Sequence, residues 1–424
     1  MDKRKKQPDA IKLIDLAFAI MMVTTMLGVN LFYIRPAFQA VFIAGTFLNC
    51  KHTGGFSFSV LMERVLFFMW CSASVYWALY QDISFQYLIP VLQAVFLLPA
   101  LLFYTGADSG KRFQRAVQLF ILCTAILCIY VFIKYPLPQV LQGKVILEDR
   151  ERITARGINA NQVGVCCSYS ILMLLSSVKI REHRILFLLI LPMLIVACMT
   201  GSRKAFMTLI IGLVLESLLI PGKRRQKVLM LLTTVLLFIA VLWAVYHIGA
   251  MYRILGKRVD ALVDYVLGGT GDKSISSRSY MIEYAMELFL KRPLTGIGLH
   301  NFKSVNPYGV YAHNNYMEML SCLGLPGFLL YYGCIFRAAA ISVKNIFTKR
   351  IRAGFPQILL ICLLANEYAT VSYTNEVIQL VFGITLCYFV FQQKEAESDA
   401  TGEMGKAKRE LPAETARPHS DSCT

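Results

Sequence analysis

Apolar runs of about 20 residues recur along the chain from Leu13 to Phe391, and no other feature restricts the fold as much. A helix needs about 20 apolar residues to cross the hydrocarbon core of a bilayer, because each residue advances it by about 1.5 Å. Of the 424 residues, 56% are hydrophobic and 16% are charged, whereas an ordinary soluble domain has roughly 25% charged residues. The sequence therefore excludes a water-soluble enzyme and predicts an all-α, polytopic integral membrane protein.

About twelve candidate transmembrane helices can be counted, of which the second is short and the weakest. Their centres lie near Phe18, Val41, Cys71, Leu92, Cys123, Ile171, Leu189, Ile211, Leu237, Leu325, Ile361 and Leu380. Ten of the twelve cysteines lie inside these runs, and the sequence has no C-x-x-C pair. The cysteines are therefore interpreted as core residues, and neither a metal site nor another cofactor is expected.

The basic residues indicate the topology. The formal charge of +17 is divided among short clusters between apolar runs, which argues against a nucleic-acid partner. If residues 3–6 are cytoplasmic, strict alternation places the clusters at 111–112, 179–184, 223–225 and 349–350 inside as well, as the positive-inside rule requires. We therefore expect a multi-pass membrane protein, with both termini cytoplasmic and the first span retained as a signal anchor.

The same alternation divides the chain into three parts. Residues 1–12 form a cytoplasmic N-terminus, residues 13–392 the membrane domain, and residues 393–424 a polar tail that is expected to be disordered. Two longer segments, 135–159 and 249–312, are placed outside. In the larger outer loop, six apolar residues recur at helical spacing and predict an amphipathic helix: Tyr280, Met281, Tyr284, Ala285, Leu288 and Phe289.

The ends of this loop helix can also be predicted. Serines at 276 and 277 can cap its start, and Pro293 and Gly296 end it. Glu287 and Lys291 are spaced to form an i, i+4 ion pair.

Arg156 and Asn161 lie just before and at the start of the sixth span. The arginine can bind a phosphate and the asparagine a sugar. Equally, Arg156 can be an interfacial anchor and the asparagine a helix cap. The sequence leaves these two interpretations open.

Arg203 and Lys204 follow the seventh span, in a predicted outer turn where positive charge breaks the inside bias. With Ser202 they open the eighth span, where free backbone N–H groups favour an anion. Arg278 stands at the start of the loop helix, where the helix dipole disfavours a cation unless an anion offsets it. A local exception to the charge rule and an exposed helix-end arginine are the alternatives.

His313 opens the tenth span, followed by Asn314, and Glu318 lies five residues further on. A carboxylate inside a span is costly unless it is paired or functional. The pair can act as a base and its orienting group, since an unperturbed imidazole pKa near 6.5 suits proton abstraction at neutral pH. The alternative is that the histidine is structural.

Three segments resemble the O-antigen ligase and O-antigen polymerase family of bacterial envelope polysaccharide assembly. They are Thr200–Ala205, Ser277–Ala285 with Arg292–Phe302, and His313–Gly327. Their order around one large outer loop carries the resemblance, which covers about residues 150–335. Tyr280 to Tyr284 depart from the family pattern, in which a tryptophan is common, and Leu325-Pro326 precede Gly327. These departures weaken assignment to a subfamily.

The resemblance implies a glycosyltransferase that uses an undecaprenyl-diphosphate-linked glycan as donor and an acceptor glycan, with inversion and without a metal. By this resemblance, the two arginines of the family correspond to Arg203 and Arg278, and its histidine corresponds to His313. The residues agree with this chemistry, because arginine forks neutralise a diphosphate well. Capsule or O-antigen synthesis is the expected setting, and polymerase or ligase activity is left open, as are the sugar repeat and the oligomeric state.

Three other functions compete with this one. A transporter, such as a flippase of lipid-linked oligosaccharides, also has about twelve spans, but such proteins often show internal repeats and none is found here. A metal-dependent transferase is expected to carry acidic ligands on its first outer loop, which is little more than Arg35-Pro36. A non-catalytic membrane partner is the third.

Overall fold

The structure is a computed structural model that describes residues 9–28, 34–49, 55–107, 110–142, 153, 158–176, 184–219, 223–269 and 273–410. All regular secondary structure in these ranges is helical, which confirms the all-α prediction. The helices are α1 (Asp9–Met26), α2 (Ile34–Asn49), α3 (Gly55–Trp77), α4 (Gln81–Gln86), α5 (Leu88–Gly106), α6 (Lys111–Lys134), α7 (Leu137–Leu141), α8 (Ala160–Ser176), α9 (Ile190–Met199), α10 (Arg203–Leu219), α11 (Arg224–His247), α12 (Lys257–Val266), α13 (Lys273–Lys291), α14 (Phe302–Val305), α15 (Asn315–Phe347), α16 (Phe355–Glu367) and α17 (Glu376–Glu410). Shorter helical turns lie at Arg184–Leu189, Gly249–Met251 and Tyr252–Gly256.

The described residues contain six helical segments that are long and apolar enough to cross a membrane. They are Gly55–Trp77, Gln81–Gly106, Lys111–Lys134, Arg224–His247, Asn315–Phe347 and Glu376–Glu397. Every predicted span centre lies in a helical residue, but the remaining candidates form helices that are shorter or less apolar. The chain is therefore a helical membrane protein, and the count of about twelve spans stays a prediction.

Most helices share one continuous apolar core. Within it, α3 and α17 pack on α5, α15 packs on α3, and α8 lies between α9 and α10. The ten cysteines of the apolar runs are buried and unpaired, as their positions predict. Helix α11 differs from the others, because Val245 is its one buried residue and most of its large apolar side chains are exposed.

The long helix α15 is interrupted at Gly324, whose φ of 67° is left-handed, and Pro326 follows the break. The interruption frees backbone groups that a helix would otherwise pair internally. Backbone atoms from the loop after α13 take their place, in three hydrogen bonds: Ile297 N to Ser321 O at 3.0 Å, Gly298 N to Cys322 O at 2.9 Å, and Leu325 N to Pro293 O at 2.8 Å. The segments Arg292–Phe302 and His313–Gly327, both part of the family resemblance, are thus hydrogen-bonded to each other.

Gly296 provides a test of this junction. Its φ is 65°, and a Cβ atom there would overlap the carbonyl group of Cys322, at a separation that no side chain tolerates. We expect Gly296→Ala to lower the free energy of unfolding by about 2–4 kcal/mol, since backbone strain alone costs about 1–3 kcal/mol and displaced backbone adds to it. Thermal unfolding in one detergent measures the change.

Gly309 is the matched control, because its φ is 64° but a Cβ atom added there would meet no other atom within 4 Å. Gly309→Ala is expected to cost only the strain, about 1 kcal/mol. Equal destabilisation by the two alanines would show that the contact with α15 contributes nothing.

The large predicted outer loop contains more helix than the sequence pattern indicates. The expected loop helix is present as α13, and the ion pair of Glu287 and Lys291 forms at 2.6 Å. An additional amphipathic helix, α12, precedes it. Helix α17 continues to Glu410, so residues 393–410 are helical rather than disordered. Alanine, glutamate and lysine, which are frequent there, are strong helix formers.

Candidate active site

The turn between α9 and α10 depends on a glycine. Gly201 has a φ of 58°, and a Cβ atom there would lie 2.6 Å from the carbonyl oxygen of Ile254. Only glycine combines this backbone conformation with so close an approach of another chain segment. Gly164 of α8 packs closely on the same turn, because a Cβ atom there would lie 2.7 Å from Oγ1 of Thr200. The turn is therefore fixed between α8 and the residues that precede α12.

Ser202 begins helix α10 as its N-cap. Its Oγ accepts a hydrogen bond from the backbone N–H of Ala205 at 3.3 Å and donates one to Oδ1 of Asn161 at 3.1 Å. The prediction that Ser202 and the two cations after it open a helix is confirmed, since α10 starts at Arg203. Asn161 is thereby fixed at the start of α8, beside the same turn.

The side chains of the two adjacent cations of α10, Arg203 and Lys204, have hydrogen-bond partners in different segments of the chain. The guanidinium of Arg203 donates to the carbonyl oxygen of Arg258 at 3.4 Å, toward helix α12. The ammonium of Lys204 donates to Oγ1 of Thr370, in the loop after α16. Consecutive helical residues differ by about 100° around the axis, which separates the two side chains.

Helix α13 turns Arg278 toward the membrane domain. Ile275, Met281 and Ala285 are buried and form the stripe by which the helix packs on the protein. Arg278 lies three residues after the first and three before the second, so it shares this inward face. Its positive charge acts on the ring of His313, as the pKa of the histidine shows below.

His313 occupies a strained backbone position just before α15. Its φ is 55°, a left-handed value that is uncommon for residues other than glycine, and its ring lies 4.3 Å from that of Tyr311. Burial, with the positive charges of Arg278 and Lys204, lowers the pKa of His313 from 6.5 to about 4. The imidazole is therefore neutral at pH 7 and can accept a proton.

Asn314 and Glu318 hold this loop. Asn314 is the N-cap of α15, and its side chain accepts the backbone N–H of Met317 at 3.1 Å. The carboxylate of Glu318 is fully buried and accepts the backbone N–H of Ala312 at 2.7 Å. It makes no hydrogen bond to His313, so the pairing predicted from their spacing is not observed. Five residues exceed one helical turn, and the histidine precedes the helix.

A cavity brings several of the predicted residues together. It encloses about 710 Å³ of empty space, including space open to the outside. Asn161, Lys204 and His313 line it, whereas Arg203, Arg278, Asn314 and Glu318 do not. The remaining walls come mainly from α8, α16 and the start of α17, with polar groups from Asn159, Gln162, Tyr169, Tyr311, Asn366, Thr370 and Asn375. Arg156 lies outside the described residues.

Sequence reasoning missed the wall formed by α16 and α17. The carboxylate of Glu367 is fully buried, and its Oε2 accepts hydrogen bonds from Asn315 at 2.8 Å, Tyr332 at 2.7 Å and Ser372 at 2.7 Å. This network joins the start of α15 to the loop that carries Thr370. The sequence did carry a signal for Glu367, because it is an acidic residue inside an apolar helix. The same argument singled out Glu318 in the sequence analysis.

His300 and Asn301 were also missed. The ring of His300 stacks on Tyr87 with centroids 3.5 Å apart, and its Nδ1 lies 2.9 Å from the hydroxyl of Tyr373. Asn301 accepts the backbone N–H of Tyr80 at 2.6 Å and donates to Oγ of Ser84 at 2.7 Å. These contacts connect the loop after α13 to α4 and α5, so the two residues fix the loop.

Metal ligands do not assemble in the part of the chain that the structure describes. No group of three or more histidine, cysteine, aspartate or glutamate side chains there is arranged to hold a metal ion. The ionisable side chains described at the cavity wall include the cation Lys204 and the neutral imidazole of His313, on which the charge of Arg278 also acts.

The fold and the site together define a helical membrane protein with a basic, histidine-containing cavity at the end of its bundle. Residues 187–332 match the family model described as O-antigen ligase. The match confirms the resemblance that the sequence motifs indicate, and the matched residues include Arg203, Arg278 and His313. Helices α1–α8, α16 and α17 lie outside the matched residues. No curated protein matches the chain. The family indicates a membrane enzyme that transfers glycosyl groups, with a lipid-linked glycan and an acceptor as general partners.

Proposed function

We propose that this protein transfers a glycan from an undecaprenyl-diphosphate-linked donor to an acceptor glycan at the outer face of the bacterial plasma membrane. One observation carries the proposal: a neutral imidazole, that of His313, lies in a cavity lined by Lys204 and influenced by the charge of Arg278. The cations suit a diphosphate, and the imidazole suits a hydroxyl group that must lose a proton.

The reaction is a single displacement. The acceptor oxygen attacks the anomeric carbon of the donor sugar, and the bond between that carbon and the diphosphate oxygen breaks. The electron pair leaves with the diphosphate, whose added charge Arg278 and Lys204 stabilise. His313 takes the proton from the acceptor hydroxyl. Attack opposite the leaving group inverts the anomeric configuration, and no step requires a metal ion.

The other predicted residues take supporting roles in this proposal. Asn161 presents an amide to the cavity and can bind sugar hydroxyls. Arg203 is adjacent to Lys204 in the chain, but its guanidinium donates a hydrogen bond to a carbonyl oxygen of α12. It therefore binds the substrate only where the diphosphate extends to the α12 side of the turn. Arg156 is retained as a phosphate-binding candidate from the sequence. Asn314 and Glu318 position the loop of His313 rather than contact the substrate.

A transfer assay tests the proposal. The full chain is placed in lipid nanodiscs with lipid-diphosphate-linked glycan, extracted from a strain that lacks this gene and therefore accumulates its donor. We expect longer or acceptor-linked glycan and free polyprenyl diphosphate, at an unchanged rate with excess chelator, because basic side chains supply the charge. A ladder of products indicates a polymerase, and a single transfer to another envelope molecule a ligase.

Two results would contradict the proposal. Absence of transfer, with donor moved across the bilayer instead, would favour the flippase class. If chelator abolished transfer and a divalent ion restored it, a metal ion rather than the basic side chains would act as the electrophile.

A further inference from the structure

Two tyrosines are exposed side by side on the large loop. Tyr280 of α13 is 41% exposed and Tyr308 is 52% exposed, and their ring centroids lie 5.6 Å apart at 74°. Tyr284 extends the cluster, with its ring nearly parallel to that of Tyr280 at 6.0 Å. The hydroxyl groups of Tyr280 and Tyr308 have no hydrogen-bond partner among the described residues. Both side chains are thus partly open to a ligand.

The loop that presents Tyr308 is braced from within. Nδ2 of Asn306 donates to the carbonyl oxygens of Phe302 at 2.8 Å and Val310 at 2.6 Å, and its Oδ1 accepts the backbone N–H of Tyr308 at 3.0 Å. Asn306 is itself buried. Because the backbone at Tyr308 is already held by a buried polar residue, it loses little further freedom when the side chain binds a ligand, and the geometry favours recognition.

The cluster lies close to the cavity along the chain. Tyr308 precedes His313 by five residues, which places their Cα atoms at most about 18 Å apart even in an extended chain. Tyr311 lies between them, lines the cavity and contacts the ring of His313. The helix that carries Tyr280 also carries Arg278. The surface tyrosines are thus close in sequence to His313 and Arg278 of the site.

A glycan is the ligand that fits this surface. Pyranose rings present C–H faces that pack on an aromatic ring, and their hydroxyl edges find partners in phenolic groups. We propose that Tyr280, Tyr308 and Tyr311, the tyrosine platform, form a subsite for the glycan that extends from the transfer site. This inference rests on the proposed function. The glycan belongs either to the donor or to the acceptor, and the test separates the two.

The experiment compares Tyr308→Leu and Tyr280→Leu with Tyr308→Phe in the nanodisc assay. The concentrations of donor and acceptor are varied separately, so that KM is measured for each substrate. Leucine removes the planar face and phenylalanine keeps it. We expect each leucine variant to raise KM for one substrate about 3- to 10-fold with a smaller change in kcat, and phenylalanine to retain most of the affinity. The substrate whose KM changes is the one on the platform. Tyr76→Leu is the control, because Tyr76 of α3 is 87% exposed and lies outside this group of tyrosines.

A second measurement does not depend on transfer. The oligosaccharide released from the donor by mild acid is added to the full chain, and saturation-transfer NMR reports its contact with the protein. The signal should weaken in the Tyr280→Leu Tyr308→Leu double variant and persist in His313→Ala. Unchanged KM for both substrates and an unchanged NMR signal in the double variant would overturn the platform, even if transfer itself is observed. The same loss with phenylalanine as with leucine would also overturn it, since it would indicate an interfacial anchoring role.

Discussion

Replacement of His313 with alanine is expected to lower the rate of glycan transfer by about 10²–10⁴-fold, the range that general-base assistance supplies. The acceptor hydroxyl then has no proton acceptor at the cavity, while Lys204 and Arg278 remain to bind the diphosphate. Protein level and donor affinity should therefore change little. Single-turnover transfer in nanodiscs, with donor binding measured separately, distinguishes the two quantities.

His313→Gln and His300→Gln sharpen this test. Glutamine at 313 keeps hydrogen-bonding ability but is too weak a base to take a proton, so its rate should stay close to that of the alanine variant. His300 is a second buried histidine whose pKa burial lowers to about 4, but it does not line the cavity. His300→Gln should stay within a few-fold of the native rate. Native activity in His313→Gln would show that the histidine ring only donates a hydrogen bond and does not act as the base.

The pH dependence follows from the lowered pKa. A base must be neutral, and His313 is neutral above about pH 4, so kcat/KM should hold down to about pH 5 and fall as the pH decreases through 4. Bound diphosphate offsets the charges of Arg278 and Lys204, which raises the pKa of His313 in the complex. The acidic limb of kcat should therefore lie at higher pH than that of kcat/KM. An identical acidic limb in His313→Gln would assign the titration to another group.

Replacement of Arg278 with lysine is expected to lower transfer about 10- to 100-fold although the charge is kept, because a hydrogen bond to a charged group contributes about 1.5–3 kcal/mol and the bidentate fork is lost. The charge beside His313 persists, so the pH profile should keep its shape. Arg278→Gln removes that charge and should move the acidic limb upward.

Arg292→Lys is the control for this series. Arg292 is exposed and lies just beyond the other end of α13, far along the helix from the cavity. The substitution should leave transfer unchanged. Full activity in Arg278→Lys would show that the residue acts through charge alone or anchors the loop.

Local patterns determined what the sequence could predict. Hydrophobic runs located the helices, the Thr-Gly-Ser turn located the start of α10, and helical spacing located α13, because each depends on neighbours within a few residues. The direction of Arg203 and Lys204 could not be predicted, since it depends on contacts with Arg258 and Thr370. These partners lie more than 50 residues away in the chain.

The far wall of the cavity is a non-local feature of the same kind. Glu367 and Asn315 meet only because α15 and α16 pack together, and no spacing in the sequence records that contact. The pairing of His313 with Glu318 failed for a related reason. Spacing within a helix predicts neighbours only for residues that both belong to the helix, and α15 begins after His313.

The orientation of helix α13 depends on the junction at the break in α15. Backbone hydrogen bonds fix its far end at Pro293–Gly298, and Arg278 lies 15 residues before Pro293, a length of about 22 Å at 1.5 Å per residue. A tilt of about 5° at the fixed end would move the guanidinium by about 2 Å, and a misplacement of about 1 Å at a reacting centre can cost 10²-fold in rate. The position of the arginine thus depends on the distant junction, where the glycines allow the backbones to touch, as well as on the buried stripe of α13 beside it.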